Sequence, residues 1–208
     1  MQTKFLFFIF ANKISIPSFV IMKKYPLILI LFLLPYLASA QKKSIDGFMD
    51  IPFGSDSATV KAVALAKGGV KLSEFTKKDQ LGFSNLTLSQ RPVLEFIVRF
   101  VDNKASDGYF FFEYDDDIIL ESYNNLIGDI TAVYGKPSET NNFDDLNNTN
   151  KIKKLRSGNI VIKTVWISKN KNAISLTITP IGQSLQLMLR YEDDSLLDVA
   201  AVKRRADL

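Results

Sequence analysis

The amino-acid sequence predicts an α+β fold: two α-β-β-β units forming a mostly antiparallel sheet, with helices packed on one face. Three patterns indicate this fold. Residues 93–100 alternate between two faces, one of them strongly apolar, which is typical of a strand. Residues 119–134 carry apolar side chains three and four positions apart, which is typical of a helix. Residues 159–191 contain three further alternating runs separated by turns.

The first unit is expected to begin with a helix over residues 57–67. Ser55 or Asp56 can cap its N-terminus, and two consecutive glycines follow its last residue. A strand is predicted next, over residues 81–88, where the apolar positions change phase halfway along. A bulge in the middle of this strand would reconcile its two halves.

The next two strands form the clearest pair in the sequence. The first covers residues 93–100, and residues 102–108 are interpreted as a hairpin connection because Asn, Ser, Asp and Gly occur there. The second strand covers residues 109–114. Two amphipathic strands cannot bury an apolar face alone, so neighbouring segments must cover it. The side chains predicted for that apolar face are Leu94, Phe96, Val98 and Phe100.

The second unit begins with the strongest helix pattern in the chain, which Gly135 ends. Residues 138–157 are rich in Asn, Asp and Lys and are interpreted as a long surface loop or a mobile insertion. Three strands then follow, over residues 159–168, 173–179 and 184–191.

Residues 41–208 are expected to form a single α+β domain. The order of elements is the same in residues 50–117 and 118–193, which suggests two repeats of one unit. Residues 194–208 are predicted to be a C-terminal tail that can form a short helix.

Residues 1–40 have the composition of a targeting segment. They contain no acidic residue, and a run of apolar residues follows Met22-Lys23-Lys24 and precedes Ala38-Ser39-Ala40. A basic start, an apolar centre and a small-x-small site are the parts of a secretory signal peptide. Translation is therefore expected to start at Met22, with cleavage after Ala40. A transmembrane anchor is the alternative, although the apolar run is short for a bilayer and prolines interrupt it.

The charge and cysteine content indicate where the mature chain resides. The four lysines of residues 1–40 account for the whole net charge of +4, so no nucleic-acid partner is expected. The chain has no Cys, so it forms no disulfide and carries no lipidated cysteine. An exported protein without disulfides fits a bacterial envelope. We expect a periplasmic or secreted protein with no membrane span after signal cleavage.

Several turn and core positions resemble those of small exported domains of gram-negative envelopes. They are Ile51-Pro52-Phe53-Gly54-Ser55, Tyr134-Gly135-Lys136-Pro137, Trp166, Ile174-Ser175-Leu176 and Leu189-Arg190-Tyr191. In element order the chain is also similar to the tandem repeats of β-lactamase inhibitory protein and of the related small outer-membrane assembly lipoproteins. The cysteine of the lipoproteins and the disulfides of the inhibitor have no counterpart in this sequence. The resemblance implies a fold, and a fold does not carry a function.

The residue types present restrict the chemistry. Because the chain has no His and no Cys, it cannot build a Ser-His-Asp or Cys-His site, a zinc site of the usual ligands or a redox dithiol. No cofactor is expected. Asp115, Asp116 and Asp117 are candidate ligands for Ca²⁺ or Mg²⁺ in a divalent-cation-dependent hydrolase acting on envelope material. The spacing matches no EF-hand loop, which favours the alternative that Asp116 or Asp117 caps the following helix.

The strand over residues 109–114 is aromatic on both faces, because alternate side chains point to opposite sides. One face belongs under the helices, and the tail, a partner or a ligand must cover the other. We therefore predict a non-enzymatic exported binding module that holds an unknown envelope protein or an extended ligand. A purely structural envelope protein would share these features. The residues predicted to form the binding surface are Glu95, Ile97, Arg99, Tyr109 and Phe111.

Overall fold

The computed structural model describes residues 42–75 and 79–206, and the predicted α+β fold class is confirmed. The predicted signal peptide and its cleavage site lie outside the described residues. The helices are α1 (Ser57–Ala66), α2 (Ile119–Tyr134), α3 (Asn148–Arg156) and α4 (Asp194–Ala206). The strands are β1 (Gly47–Phe48), β2 (Ile51–Pro52), β3 (Val70–Lys71), β4 (Gln80–Ser84), β5 (Leu86–Leu88), β6 (Arg91–Val93), β7 (Glu95–Val101), β8 (Lys104–Glu113), β9 (Glu139–Asn141), β10 (Ile162–Ile167), β11 (Ala173–Ile181) and β12 (Ser184–Glu192).

Eight of the strands form one antiparallel sheet in the order β3-β4-β7-β8-β12-β11-β10-β9. Strands β4, β7 and β8 form one meander, and β10, β11 and β12 form a second. The last strands of the two meanders pair at the centre of the sheet, where Phe110 lies opposite Leu189. Each predicted unit therefore supplies four neighbouring strands of one sheet rather than the three expected, because the short edge strands β3 and β9 extend the two meanders. The internal duplication itself stays a prediction.

Alternation along the strands gives the sheet two different faces. The core face is buried, and Phe96 on β7 stacks on Phe110 of β8 with ring centroids 4.5 Å apart. The opposite face is named the second face. It carries the alternate residues of each strand, such as Ile97 and Arg99 of β7 and Tyr109 and Phe111 of β8. Buried side chains of the core face include Phe83, Phe96, Val98, Phe110, Phe112, Ile174, Leu176, Leu187 and Leu189.

Helix α1 begins where the sequence predicts, because the Asp56 carboxylate accepts a hydrogen bond of 2.7 Å from the Thr59 backbone N–H. Val60 and Ala64 of this helix are fully buried and join the core cluster. Gly68 follows with a φ of 85°, which ends the helix as expected.

Helix α2 also confirms its predicted apolar stripe. Its buried residues are Ile119, Leu120, Tyr123, Leu126 and Ile130. Polar contacts orient the helix on the sheet: the hydroxyl groups of Tyr123 and Thr164 lie 2.7 Å apart. The indole N–H of Trp166 donates to the Gly135 carbonyl at the end of the helix, over 3.0 Å. Burial of these groups is therefore accompanied by hydrogen bonding.

The predicted connection over residues 102–108 is wrong, because the chain turns at Asp102 and Asn103 alone. Their φ angles of 52° and 59° are those of a two-residue hairpin turn. Strand β8 consequently starts at Lys104. Gly108 lies within it on the core face, where a Cβ atom would be 2.8 Å from the ring of Phe48. This glycine is required for packing of the β1–β2 hairpin, not for a turn.

The predicted strand over residues 81–88 is two strands rather than one with a bulge. Asn85 has a φ of 58° and ends β4, and its side-chain amide donates to the Gly68 carbonyl over 3.0 Å. Strand β5 then leaves the main sheet and pairs with β6. Leu94 follows β6 and is 44% exposed, so its predicted place on the apolar face is also wrong.

The predicted long loop over residues 138–157 is wrong as well. It contains the edge strand β9 and helix α3, which Asn147 caps by accepting a 2.9 Å hydrogen bond from the Asn150 N–H. Leu155 is the buried anchor of this helix and belongs to the core cluster. The cap, the buried Leu155 and the partly buried Ile152 fix a short helix that composition alone does not indicate.

The predicted tail helix is α4, which contacts β7 and β8. Its Leu197 and Ala200 line a cleft of about 310 Å³ together with Arg99 and Asp107, at one end of the second face. Among the described residues, no helix has both the length and the apolar character that crossing a bilayer requires.

Replacing Phe96 by Ala is expected to lower the free energy of unfolding by about 3–5 kcal/mol, because it removes a fully buried ring and leaves a cavity. Leu94→Ala is the matched control and should cost less than about 1 kcal/mol, since Leu94 is exposed. Urea unfolding followed by circular dichroism measures both changes. Equal losses for the two variants would contradict the assignment of faces in β7.

Candidate functional site

The five residues predicted to bind a partner share the second face at the centre of the sheet. The register places Glu95 opposite Phe111 and Ile97 opposite Tyr109 on the neighbouring strands β7 and β8. Arg99 follows on the same face of β7, and all five residues are partly exposed. The structure therefore brings the predicted residues together in one surface.

Asp107 lies buried at the Arg99 end of this surface, within the residues predicted to form a hairpin connection. Its side chain is 1% exposed and lies opposite Arg99. The carboxylate accepts hydrogen bonds from Nε and Nη2 of Arg190, from Nη2 of Arg99 at 3.0 Å, and from the hydroxyls of Ser106 and Tyr109 at 2.8 and 3.2 Å. Both arginines are therefore held by one carboxylate.

Electrostatics keep Asp107 ionised. Burial acts to raise the pKa of Asp107, but the hydrogen bond and charge of Arg190, followed by the charge of Arg99, lower this pKa below its ordinary value. Burial, followed by the charge of Asp107, raises the pKa of Tyr109 to about 12. Tyr109 is therefore a neutral hydrogen-bond donor at physiological pH.

The aromatic side chains form the apolar part of the second face. The rings of Tyr109 and Phe111 are nearly parallel, with an interplanar angle of 6° and centroids 6.2 Å apart. The guanidinium carbons of Arg99 and Arg190 lie 4.9 and 5.3 Å from the Tyr109 centroid, within the range of cation–π attraction. Tyr109 is therefore fixed by its neighbours. Tyr109 and Phe111 together are named the aromatic platform.

A third aromatic residue lies over the same face, and sequence reasoning missed it. Gly82 lies opposite Ile97 on the second face, and a Cβ atom on Gly82 would be 2.1 Å from the ring of Phe75. The missing side chain of Gly82 makes room for this ring. A glycine inside a predicted strand, with an aromatic residue seven positions earlier, is the signal that was available in the sequence.

Strand β12 continues the surface beyond β8. Met188 lies opposite Phe111, and Gln186 lies opposite Glu113. Ser175 and Thr177 on β11 come next and are buried small polar residues. The second face thus continues from the aromatic residues of β8 to small polar side chains on β11 that are buried.

The three aspartates considered as metal ligands do not form such a site. The Asp116 carboxylate pairs with the guanidinium of Arg156. The described part of the chain contains no group of three or more acidic residues that could hold a metal ion. The alternative of a side-chain cap is wrong too: the backbone carbonyl of Asp115, rather than a carboxylate of Asp116 or Asp117, accepts the N–H groups at the start of α2.

Comparison with protein-family models, with curated proteins and with solved structures found no match to this chain. The resemblance in element order to β-lactamase inhibitory protein and the assembly lipoproteins therefore stays a prediction. Functional inference rests on the residues of the second face themselves.

Replacing Asp107 by Asn is expected to lower the free energy of unfolding at pH 7 by about 1.5–3 kcal/mol, because the arginines lose a charged acceptor. The pKa of Asp107 is lower in the folded protein than in the unfolded chain, so its stabilisation is present above pH 3.8 and is lost as pH falls below that value. The difference in free energy of unfolding between the wild type and Asp107→Asn should therefore decrease only below about pH 4.

Urea unfolding at several pH values between 7 and 2 checks this expectation. Asp198→Asn is the control, because Asp198 is exposed on α4. A wild-type advantage that disappears already near pH 6, or a control that behaves like Asp107→Asn, would contradict the role given to Asp107.

Proposed function

We propose that this protein is an exported, non-enzymatic binding module of a bacterial envelope, and that the second face is its binding surface. The observation that carries the proposal is the partly exposed aromatic platform of Tyr109 and Phe111 on β8, an interior strand of the eight-stranded sheet. Exposed apolar surface of this kind is typical of interaction sites. Its occupant is a protein or another extended ligand.

The rigidity of the platform supports binding. Strand β8 is hydrogen-bonded to β7 on one side and to β12 on the other, so the backbone beneath Phe111 is held along its length. Tyr109 is additionally fixed by the two arginines. A surface that is ordered before binding loses little conformational entropy when a partner arrives.

The charges of the surface favour binding over catalysis. Asp107 is surrounded by Arg99, Arg190, Ser106 and Tyr109, so it has no open position from which to act on a substrate. Arg190 also pairs with Glu192 at 2.6 Å. A general acid or base needs access to the reacting group, and this carboxylate is 1% exposed. The buried cluster is therefore assigned to positioning the aromatic side chains.

Replacing Phe111 by Ser, alone or together with Ile97→Ser, is expected to abolish partner binding while the protein stays folded. Both side chains are partly exposed, so the loss of stability should be about 1–3 kcal/mol rather than complete unfolding. The full chain, tagged at its C-terminus, is expressed in a gram-negative host with a photo-cross-linking amino acid at position 97. Lys61, exposed on α1, provides the control position.

The expected result is a defined adduct from position 97 that is absent from position 61 and is lost with Phe111→Ser. The same adducts from both positions would contradict the proposal. No adduct from position 97 would favour a purely structural envelope protein. Unfolding of the Ser variants would show that the second face is part of the core.

A further inference from the structure

Tyr109 and Phe111 are neighbouring rings on the second face with different surroundings. Tyr109 has an adjacent carboxylate, Asp107, and two guanidinium groups within 5.3 Å of its ring centroid. Phe111 lies next along the same face, with its ring nearly parallel to that of Tyr109. In the described part of the chain, no cation approaches the Phe111 ring in this way.

Phe111 nevertheless has carboxylates on two sides. Glu95 lies directly opposite on β7, which places the two Cβ atoms about 5 Å apart. Glu113 lies two residues further along β8 on the same face, about 7 Å away at the usual strand rise. Both side chains are long enough to bring their carboxylates above the edge of the ring.

These two glutamates carry the unneutralised charge of this part of the surface. Within the ranges 42–75 and 79–206, neither Glu95 nor Glu113 forms an ion pair, whereas Asp107 and Glu192 are both bound to arginine. Glu113 is exposed and Glu95 is partly exposed. The surface around Phe111 therefore has an aromatic ring and two free negative charges, and it lacks the cation that completes the arrangement at Tyr109.

We infer that the occupant of the second face is an extended protein segment that places a Lys or Arg side chain over Phe111, between Glu95 and Glu113. Cations are attracted to the face of an aromatic ring, and the two carboxylates add charge complementarity. The inference rests on the proposed binding function and specifies the chemistry of its partner.

The neighbouring positions fit the rest of such a segment. Met188 of β12 lies opposite Phe111, and Ile97 of β7 lies opposite Tyr109. These two side chains offer apolar contacts on either side of β8. Side chains of an extended segment that point to one side recur about every 7 Å, which matches the spacing of positions along β8. A segment in which basic residues alternate with small or apolar ones is therefore the expected partner.

Two synthetic peptides test the inference: one alternates Lys and Thr, and the other alternates Glu and Thr at the same length. Fluorescence anisotropy with the full chain should show binding of the basic peptide only. The double variant Glu95→Gln/Glu113→Gln is expected to weaken this binding about tenfold at low salt, and high salt should weaken binding to the wild type. Phe111→Leu, which keeps apolar volume but removes the ring, should weaken it about threefold.

Glu139→Gln is the matched control, because Glu139 is exposed at the β9 edge, on the same face but several strands away. It should leave the affinity unchanged. The inference is overturned if the two peptides bind equally well or if neither binds. It is also overturned if the basic peptide binds the double Gln variant with unchanged affinity.

Failure of the inference and failure of the proposed function are distinguishable by the cross-linked adduct at position 97. If the adduct is lost with Phe111→Ser but persists in Glu95→Gln/Glu113→Gln, the second face is the binding surface and its partner is not recognised by a cationic side chain. If the adduct persists in Phe111→Ser, the second face is not the binding surface.

Discussion

The buried carboxylate of Asp107 is the interaction on which the second face depends. It joins Arg99 of β7 to Arg190 of β12 across β8, so it connects strands of both meanders at the centre of the sheet. Burial of a charge is costly, and only several hydrogen bonds and close opposite charges offset that cost. Because the cluster satisfies both requirements, the centre of the sheet can be polar without being open to solvent.

This cluster determines what the surface offers to a partner. The two arginines that would otherwise give the second face a positive charge are held by Asp107 and, for Arg190, also by Glu192. They lie beside the Tyr109 ring and fix it. The groups that remain available are the aromatic platform and the free glutamates beside Phe111, which together suit a cationic, partly apolar segment.

The sequence predicted the part of this arrangement that depends on local patterns. Alternation in β7 and β8 was sufficient to place Glu95, Ile97 and Arg99 on one face with Tyr109 and Phe111. Asp107 was missed because its burial depends on Arg190, which is 83 positions away in the chain. Helix α3 was missed for a related reason, since its polar composition conceals the single buried side chain, Leu155, that anchors it.

A binding surface on the second face requires that this face be accessible in the free protein. Methyl relaxation by a soluble paramagnetic agent measures this access in the full chain, at Ile97 and Met188 on the second face and at Ile174 on the core face. Fast relaxation at Ile97 and Met188 with slow relaxation at Ile174 is the result that the binding surface predicts. Equally slow relaxation at all three methyl groups would contradict it, because another part of the chain or a second copy would then cover the aromatic platform.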